Sequence, residues 1–245
     1  MDCRLYFKGL VLCVAIWSQQ TPLQAQSEQT QKVSAQQWRD SLSVLNKQIA
    51  NSAWSTDLHL RKAAVNLELQ QWQYAIDEYS LILQHQVQNP AALFYRAYAA
   101  THLRHYEAAR RDYEELLSIF PTHTEARLSL AYVLQLMGHK TEALDELNRV
   151  VEMRPDSAVA YASRALLERD IQQYEAALYD WEQASKLEPQ NADYVASHAE
   201  LLLMLERKEE ARRVLEAAVK RGIPQGLLRP WLERCRASSL YQKKY

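Results

Sequence analysis

The sequence predicts an all-α protein, a solenoid of stacked helical hairpins, and three observations predict it. Glycine is scarce, 4 in 245 residues, while 48% of the residues are hydrophobic, which disfavours sandwiches and barrels that need many φ > 0 turns. Apolar residues recur three and four apart in runs of about 14, the period of one buried helical face. The chain also repeats itself with a fixed period of about 34 residues, the mark of a stacked array.

The first expected element is an export signal over 1–25. Arg4 and Lys8 form a short positive region, Gly9 to Trp17 is an uncharged apolar run, and Leu23-Gln24-Ala25 sets a small residue before the expected cut. That apolar run falls well short of the ~20 residues that span a bilayer, so no integral span is expected once the signal is removed. Leu12 before Cys13 argues against lipid attachment. Removal leaves 27 basic and 29 acidic residues and Cys235 as the one cysteine, hence no internal disulfide. Residues 26–35 (QSEQTQKVSA) are polar and are expected to form a flexible leader. The expected location is exported, periplasmic or associated with the cell envelope.

The repeat follows. Alanine recurs at Ala63, Ala97, Ala131, Ala165 and Ala199, and again at Ala75, Ala109, Ala143, Ala177 and Ala211. Pro121, Pro155 and Pro189 keep the same spacing, as do Trp72, Tyr106 and, two units on, Tyr174. Four residues after each second alanine stands a bulky residue: Tyr79, Tyr113, Leu147, Trp181 and Leu215. Small residues allow two helix backbones to cross closely, and the bulky residue fills the space beside the crossing. A lone hairpin cannot bury both faces, so the hairpins must stack.

The length of the period, the paired alanines, the aromatic at the joint and the terminal proline resemble the tetratricopeptide repeat (TPR). The resemblance implies a right-handed superhelical solenoid with five units, 56–89, 90–123, 124–157, 158–191 and 192–225. Trp38 and Leu45 lie one period before Trp72 and Tyr79, so 36–55 reads as the second helix of a decayed leading unit. In the second unit Asn89 is expected to cap a helix that Pro90 opens. Past Gly222 and Pro224, residues 226–237 read as a capping helix with Pro230 in its first turn, and 238–245 as a polar tail.

Charge and composition exclude several functions. With 29 basic and 30 acidic residues there is no electrostatic case for nucleic acid or an anionic membrane. His102 and His105 are three apart and His139 repeats His105, but no cysteine or carboxylate completes a set, so no metal is expected. No glycine-rich phosphate loop or nucleophile elbow occurs, and Cys235 lacks a local histidine. No catalytic residue, cofactor or enzymatic activity is expected.

Lys62, Arg96 and Arg164 stand in one column of the repeat, and each is followed at one fixed spacing by an acid: Glu78, Asp112 and Asp180. The third and fifth units have Leu130 with Glu146 and His198 with Val214 at those places. The pairing predicts salt bridges between the helices of a unit. In proteins this chain resembles, the first helices line a concave groove. Carried over, that implies a partner-binding surface of Leu60, Phe94, Tyr95, Tyr98, His102, Leu128, Tyr132 and Leu166, with packing between helices as the rival role for the aromatics. The groove columns hold Asp57, Glu68, Glu125, Asp170, Asp193 and Glu200 against Arg61 and Arg169, which suits an apolar or mildly basic segment. The expectation is a non-enzymatic scaffold, monomeric or weakly homo-oligomeric, that binds a protein partner. A self-associating module using Trp231 and Cys235 and a small-molecule or glycan binder using the aromatics are the alternatives.

Overall fold

A computed structural model describes residues 22–236, with side chains from Ala35 onward. The described residues form twelve helices: α1 (Pro22–Ala50), α2 (Thr56–Glu68), α3 (Trp72–His85), α4 (Pro90–His102), α5 (Tyr106–Ile119), α6 (Thr124–Leu136), α7 (Lys140–Met153), α8 (Ala158–Asp170), α9 (Tyr174–Leu187), α10 (Ala192–Met204), α11 (Lys208–Lys220) and α12 (Gln225–Arg236). The first helices of the five units begin one full period apart, and so do the second helices.

The repeat also sets where the helices start and stop. Ser55, Asn89, His123, Ser157 and Asn191 stand one repeat apart, and each caps a first helix by accepting a hydrogen bond from a backbone N–H of its first turn. Pro90 opens α4 directly after its cap, where a missing N–H costs nothing. Just past each first helix stands a residue with left-handed backbone: Gln70, Arg104, Gly138, Gln172 and Glu206. The next N–H then reaches back five residues, as from His105 to the Ala100 carbonyl at 2.9 Å and from His139 to Leu134 at 2.8 Å, which closes the helix end as a Schellman turn. Four of these five joints use a side chain where glycine is the unstrained choice.

The packing follows the alanines. All ten are 0% exposed, with Tyr79, Tyr113, Leu147, Trp181 and Leu215 buried beside them. Each second helix also packs on the first helix of the next unit, and α4 approaches α6 directly, as α6 does α8. That direct approach sets the first helices on the inner side of the stack. The core divides at the fourth unit: one cluster runs from Ala63 to Leu147 and takes in Leu167, and a second runs from Ala158 to Cys235.

The ends differ from expectation. The stretch expected as a loose leader is helical, because α1 runs unbroken from Pro22 to Ala50. The helix contains no glycine and no internal proline to break it, and Gln29 stands where the repeat would put a crossing alanine, so the sequence lacks the small residue that a close hairpin needs. The second-helix portion of α1 packs on α2 and buries Leu45. Residues 1–21 of the expected signal and the tail 238–245 lie outside the described residues. At the other end α12 begins at Gln225, so Pro230 falls inside the helix and not in its first turn. Its apolar face buries Leu228, Leu232 and Cys235, and it covers α10 and α11. No described helix is long and apolar enough to cross a membrane.

Candidate protein-binding face

The charged columns are spent on holding units together. Arg96 donates from Nε and Nη2 to the two oxygens of Asp112, both at 2.7 Å, and from Nη1 to Ser80 Oγ of the preceding unit at 3.3 Å. Arg164 does the same with Asp180 at 2.7 and 2.9 Å and with Asn148 Oδ1 at 3.0 Å. Such two-toothed pairs fix geometry as well as charge. Lys62 lies 2.6 Å from Glu78, joined by His59 Nδ1 at 2.6 Å. In the third unit Leu130 cannot serve Glu146, and Arg127, one turn earlier on the same helix face, takes over. That substitution was readable in the sequence, since residues three apart on a helix share a face.

Beside Arg164 the fourth unit buries a second carboxyl. Glu168 lies 3.8 Å from Arg164 Nε, and its carboxyl is pushed up to about 7 by burial and then by the neighbouring charge of Asp180, which outweigh the pull of Arg164. Glu168 and Asp180 thus contend for one guanidinium.

On the inner face the structure divides the sequence-predicted groove residues. Phe94 is only 7% exposed. Its ring packs edge-on against Tyr95 and Tyr113, at 5.1 and 5.7 Å between centroids, and stacks on His123 at 5.6 Å. Phe94 is therefore a packing residue and offers no ring to a ligand. Leu60, Tyr95 and Leu128 are half-buried against the same core, and Tyr95 stacks on Tyr79 at 6.0 Å. Ser129, in the same column as Tyr95, is buried.

The remaining four face outward. Trp72, at the start of α3, stacks flat on His102 at 4.0 Å, and Tyr98 meets both rings edge-on, at 6.0 Å from Trp72 and 4.7 Å from His102. Burial lowers the pKa of His102, and burial followed by the charge of Glu68 raises that of Tyr98, so both rings are neutral near pH 7. Tyr132 and Leu166 continue the column as 49% and 41% exposed side chains. Leu136, one turn after Tyr132 and as exposed as Leu166, was missed by sequence reading. The spacing of Tyr98 to His102 could have found it, because Tyr132 and Leu136 are the same pair one repeat later. Tyr98, His102, Tyr132, Leu136 and Leu166 form an apolar stripe across α4, α6 and α8.

The stripe ends at charges that are already matched. Arg169 pairs with Asp170 at 3.1 Å. Glu200, the fifth unit's member of the Tyr132 column, accepts from Trp231 Nε1 at 2.7 Å and is engaged by Arg234. The capping helix therefore closes this end of the face. Of the two residues named for the self-associating alternative, Trp231 is partly buried and donates to Glu200, and Cys235 is buried. Among the described residues no three His, Cys, Asp or Glu side chains are grouped to hold a metal.

Comparison with known proteins places this geometry. Residues 100–167 match a family model described as tetratricopeptide repeat. A DnaJ homolog subfamily C member 7 homolog from Dictyostelium discoideum is 23% identical over 203 residues, which cover 62% of this chain and 38% of that protein. This chain thus spans well under half of that relative's length. A tetratricopeptide repeat protein from Parabacteroides merdae superposes with a TM-score of 0.59 at 19% identity, over 82% of this chain and 78% of the other. YrrB, described as a TPR protein with an unusual peptide-binding site, superposes with a TM-score of 0.57 at 17% identity, over 75% of this chain and 94% of its own.

Proposed function

We propose, on the premise that this chain is a tetratricopeptide-repeat protein, that it is a non-catalytic scaffold whose inner face holds an apolar or mildly basic segment of another protein. The observation that carries the reading is the exposed stripe of Tyr132, Leu136 and Leu166 beside the half-buried Tyr98. These large side chains stand on the first helices, where backbone rigidity keeps the entropy cost of binding low. Aromatic and aliphatic anchors of this kind supply most of the affinity in protein interfaces. The peptide-binding site in the description of YrrB supports a peptide-like occupant. The signal-like pattern of Arg4, Lys8 and the apolar run Gly9 to Trp17 supports action in the periplasm or at the envelope.

The test is cross-linked capture from the native envelope, comparing the wild-type chain with the triple variant Tyr132→Ala, Leu136→Ala, Leu166→Ala. All three side chains are exposed, so the variant should keep its helical circular dichroism and its melting temperature. A partner lost only with the variant supports the reading. The same proteins captured by both chains would remove the inner face as the binding surface.

A further inference from the structure

The first helix of each of the five units ends at a joint that turns on a left-handed residue, and Gln70 is the first of these. Gln36 stands one repeat before Gln70, and there the chain does not turn, because Gln36 lies inside α1. Pro22, where α1 begins, likewise stands one repeat before Thr56, where α2 begins. The stretch 22–34 is therefore a first helix in place and in length, held straight out from its second helix instead of folded back on it.

The place it leaves is open. A crevice of about 450 Å³ lies between α1 and α2, with Trp38, Ser41 and Leu45 on one wall and Ala64, Val65 and Glu68 on the other. Ser41 occupies the column of the second alanines and is partly exposed, whereas Ala75, Ala109, Ala143, Ala177 and Ala211 are 0% exposed beneath their first helices. Trp38 and Leu45 stand in the columns of Trp72 and Tyr79, and Val44, also in the lining, is 54% exposed. A small residue between two large ones is the surface that a crossing helix covers in every complete unit.

We propose that a second copy of the chain covers it, the two α1 helices lying antiparallel so that 22–34 of each copy fills the first-helix place of the other. The two helices of a hairpin are antiparallel too, so such an exchange restores the packing of a complete unit without the turn. Because α1 is straight, the stripe of Leu45, Ser41 and Trp38 continues toward the N-terminus, three and four residues apart, through the positions of Ser34, Gln31 and Ser27. A two-fold axis at Ser34 sets Ser27 of one copy against Ser41 of the other, two small residues where the helices cross. Gln29, whose size disfavours a closed hairpin, lies off this stripe. Ser27 to Ser34 all belong to the chain left after the expected cut at Ala25. None of Tyr132, Leu136 and Leu166 lines the crevice, so the inference stands apart from the reading of the inner face.

The test is light scattering on the purified chain over a range of concentrations, where a dimer is expected. Gln36→Gly favours the left-handed turn over the helix, so it should close the hairpin and weaken the dimer about tenfold. Gln36→Ala keeps the helix and should leave the dimer unchanged. Mild oxidation of Ser34→Cys should link two copies at the axis. Asn46→Cys is exposed and about 36 Å from its counterpart in an antiparallel pair, so it should not link. Cys235 is buried and can stay in all variants. A monomer at every concentration, a dimer indifferent to Gln36→Gly, or linking through Asn46→Cys but not Ser34→Cys would each overturn the proposal.

Discussion

The second and fourth units clamp their neighbours with an arginine held at 2.7 Å by an aspartate, while the third and fifth leave a crevice in the same seam beside Leu130 and His198, the third being tied to the second instead by Arg127, which donates to the Pro121 carbonyl at 2.7 Å. The backbone register of all four units is the same, since their helices begin at equal spacing. The alanines at their crossings are equally buried. The difference teaches that two layers of the repeat are separable. Alanine and the bulky residue beside it set the fold of each hairpin. One polar column on the outer side decides how firmly each hairpin is tied to the last and what surface it leaves.

The largest expected effect breaks a clamp. Asp112→Ala leaves the Arg96 guanidinium, 26% exposed, without its carboxylate, and should cost about 3 kcal/mol in urea unfolding. Asp180→Ala should cost less, because Glu168 stands 3.8 Å from Arg164 and can accept in its place. Equal losses in the two variants would show that Glu168 gives no rescue.

Next in size is a pH effect confined to the fourth unit, since Ala100 stands where Glu168 does in the second. Below pH 4.5 Glu168 is protonated in both folded and unfolded chains. As the pH rises toward about 7 the unfolded chain loses the proton first, so stability falls across that window and the loss is complete above it. Glu168→Gln should flatten this slope in unfolding midpoints taken across and above that window. A variant that keeps the wild-type slope would exclude Glu168 as its source.

A third change makes an open unit resemble a closed one. His198→Arg with Val214→Asp imports the clamp into the fifth unit and should show a favourable coupling of about 1 kcal/mol in a double-mutant cycle. His198→Arg alone should be the less stable of the two variants, since Val214 stands where Asp112 and Asp180 hold the other arginines. Additive effects would mean that the pair does not form.

The smallest effect lies at the joints. Gly138→Gln gives the third unit the joint residue of the first and fourth, and the left-handed backbone there should cost about 1 kcal/mol, read as a small fall in melting temperature. No change would mean that the surrounding turn relieves the strain.

Much of this was legible because the signals were local and repeated. The alanines at the crossings, the caps that open the first helices, and the acid at its fixed distance after Lys62, Arg96 and Arg164 are visible without coordinates. The inner face was less legible. Phe94 and Tyr132 both occupy columns assigned to a groove, yet one is 7% and the other 49% exposed. The sequence cannot separate them, since exposure there depends on which rings the next helix brings. Tyr113 and His123 close over Phe94, and Tyr132 has no such cover. Glu200 looked like a free groove acid until α12 brought Trp231 and Arg234 to it.

Sequence alone determined the all-α class, the repeating hairpin, the register of every crossing and the charged partners within units, because each depends on residues close in the chain or repeated along it. Only the tertiary structure decided which aromatics are core and which are surface, that the leader continues α1, that the last helix seals the inner face, and that two of the outer seams keep a crevice. Those outcomes depend on how far neighbouring helices reach into shared space, and that is settled only when whole units pack together.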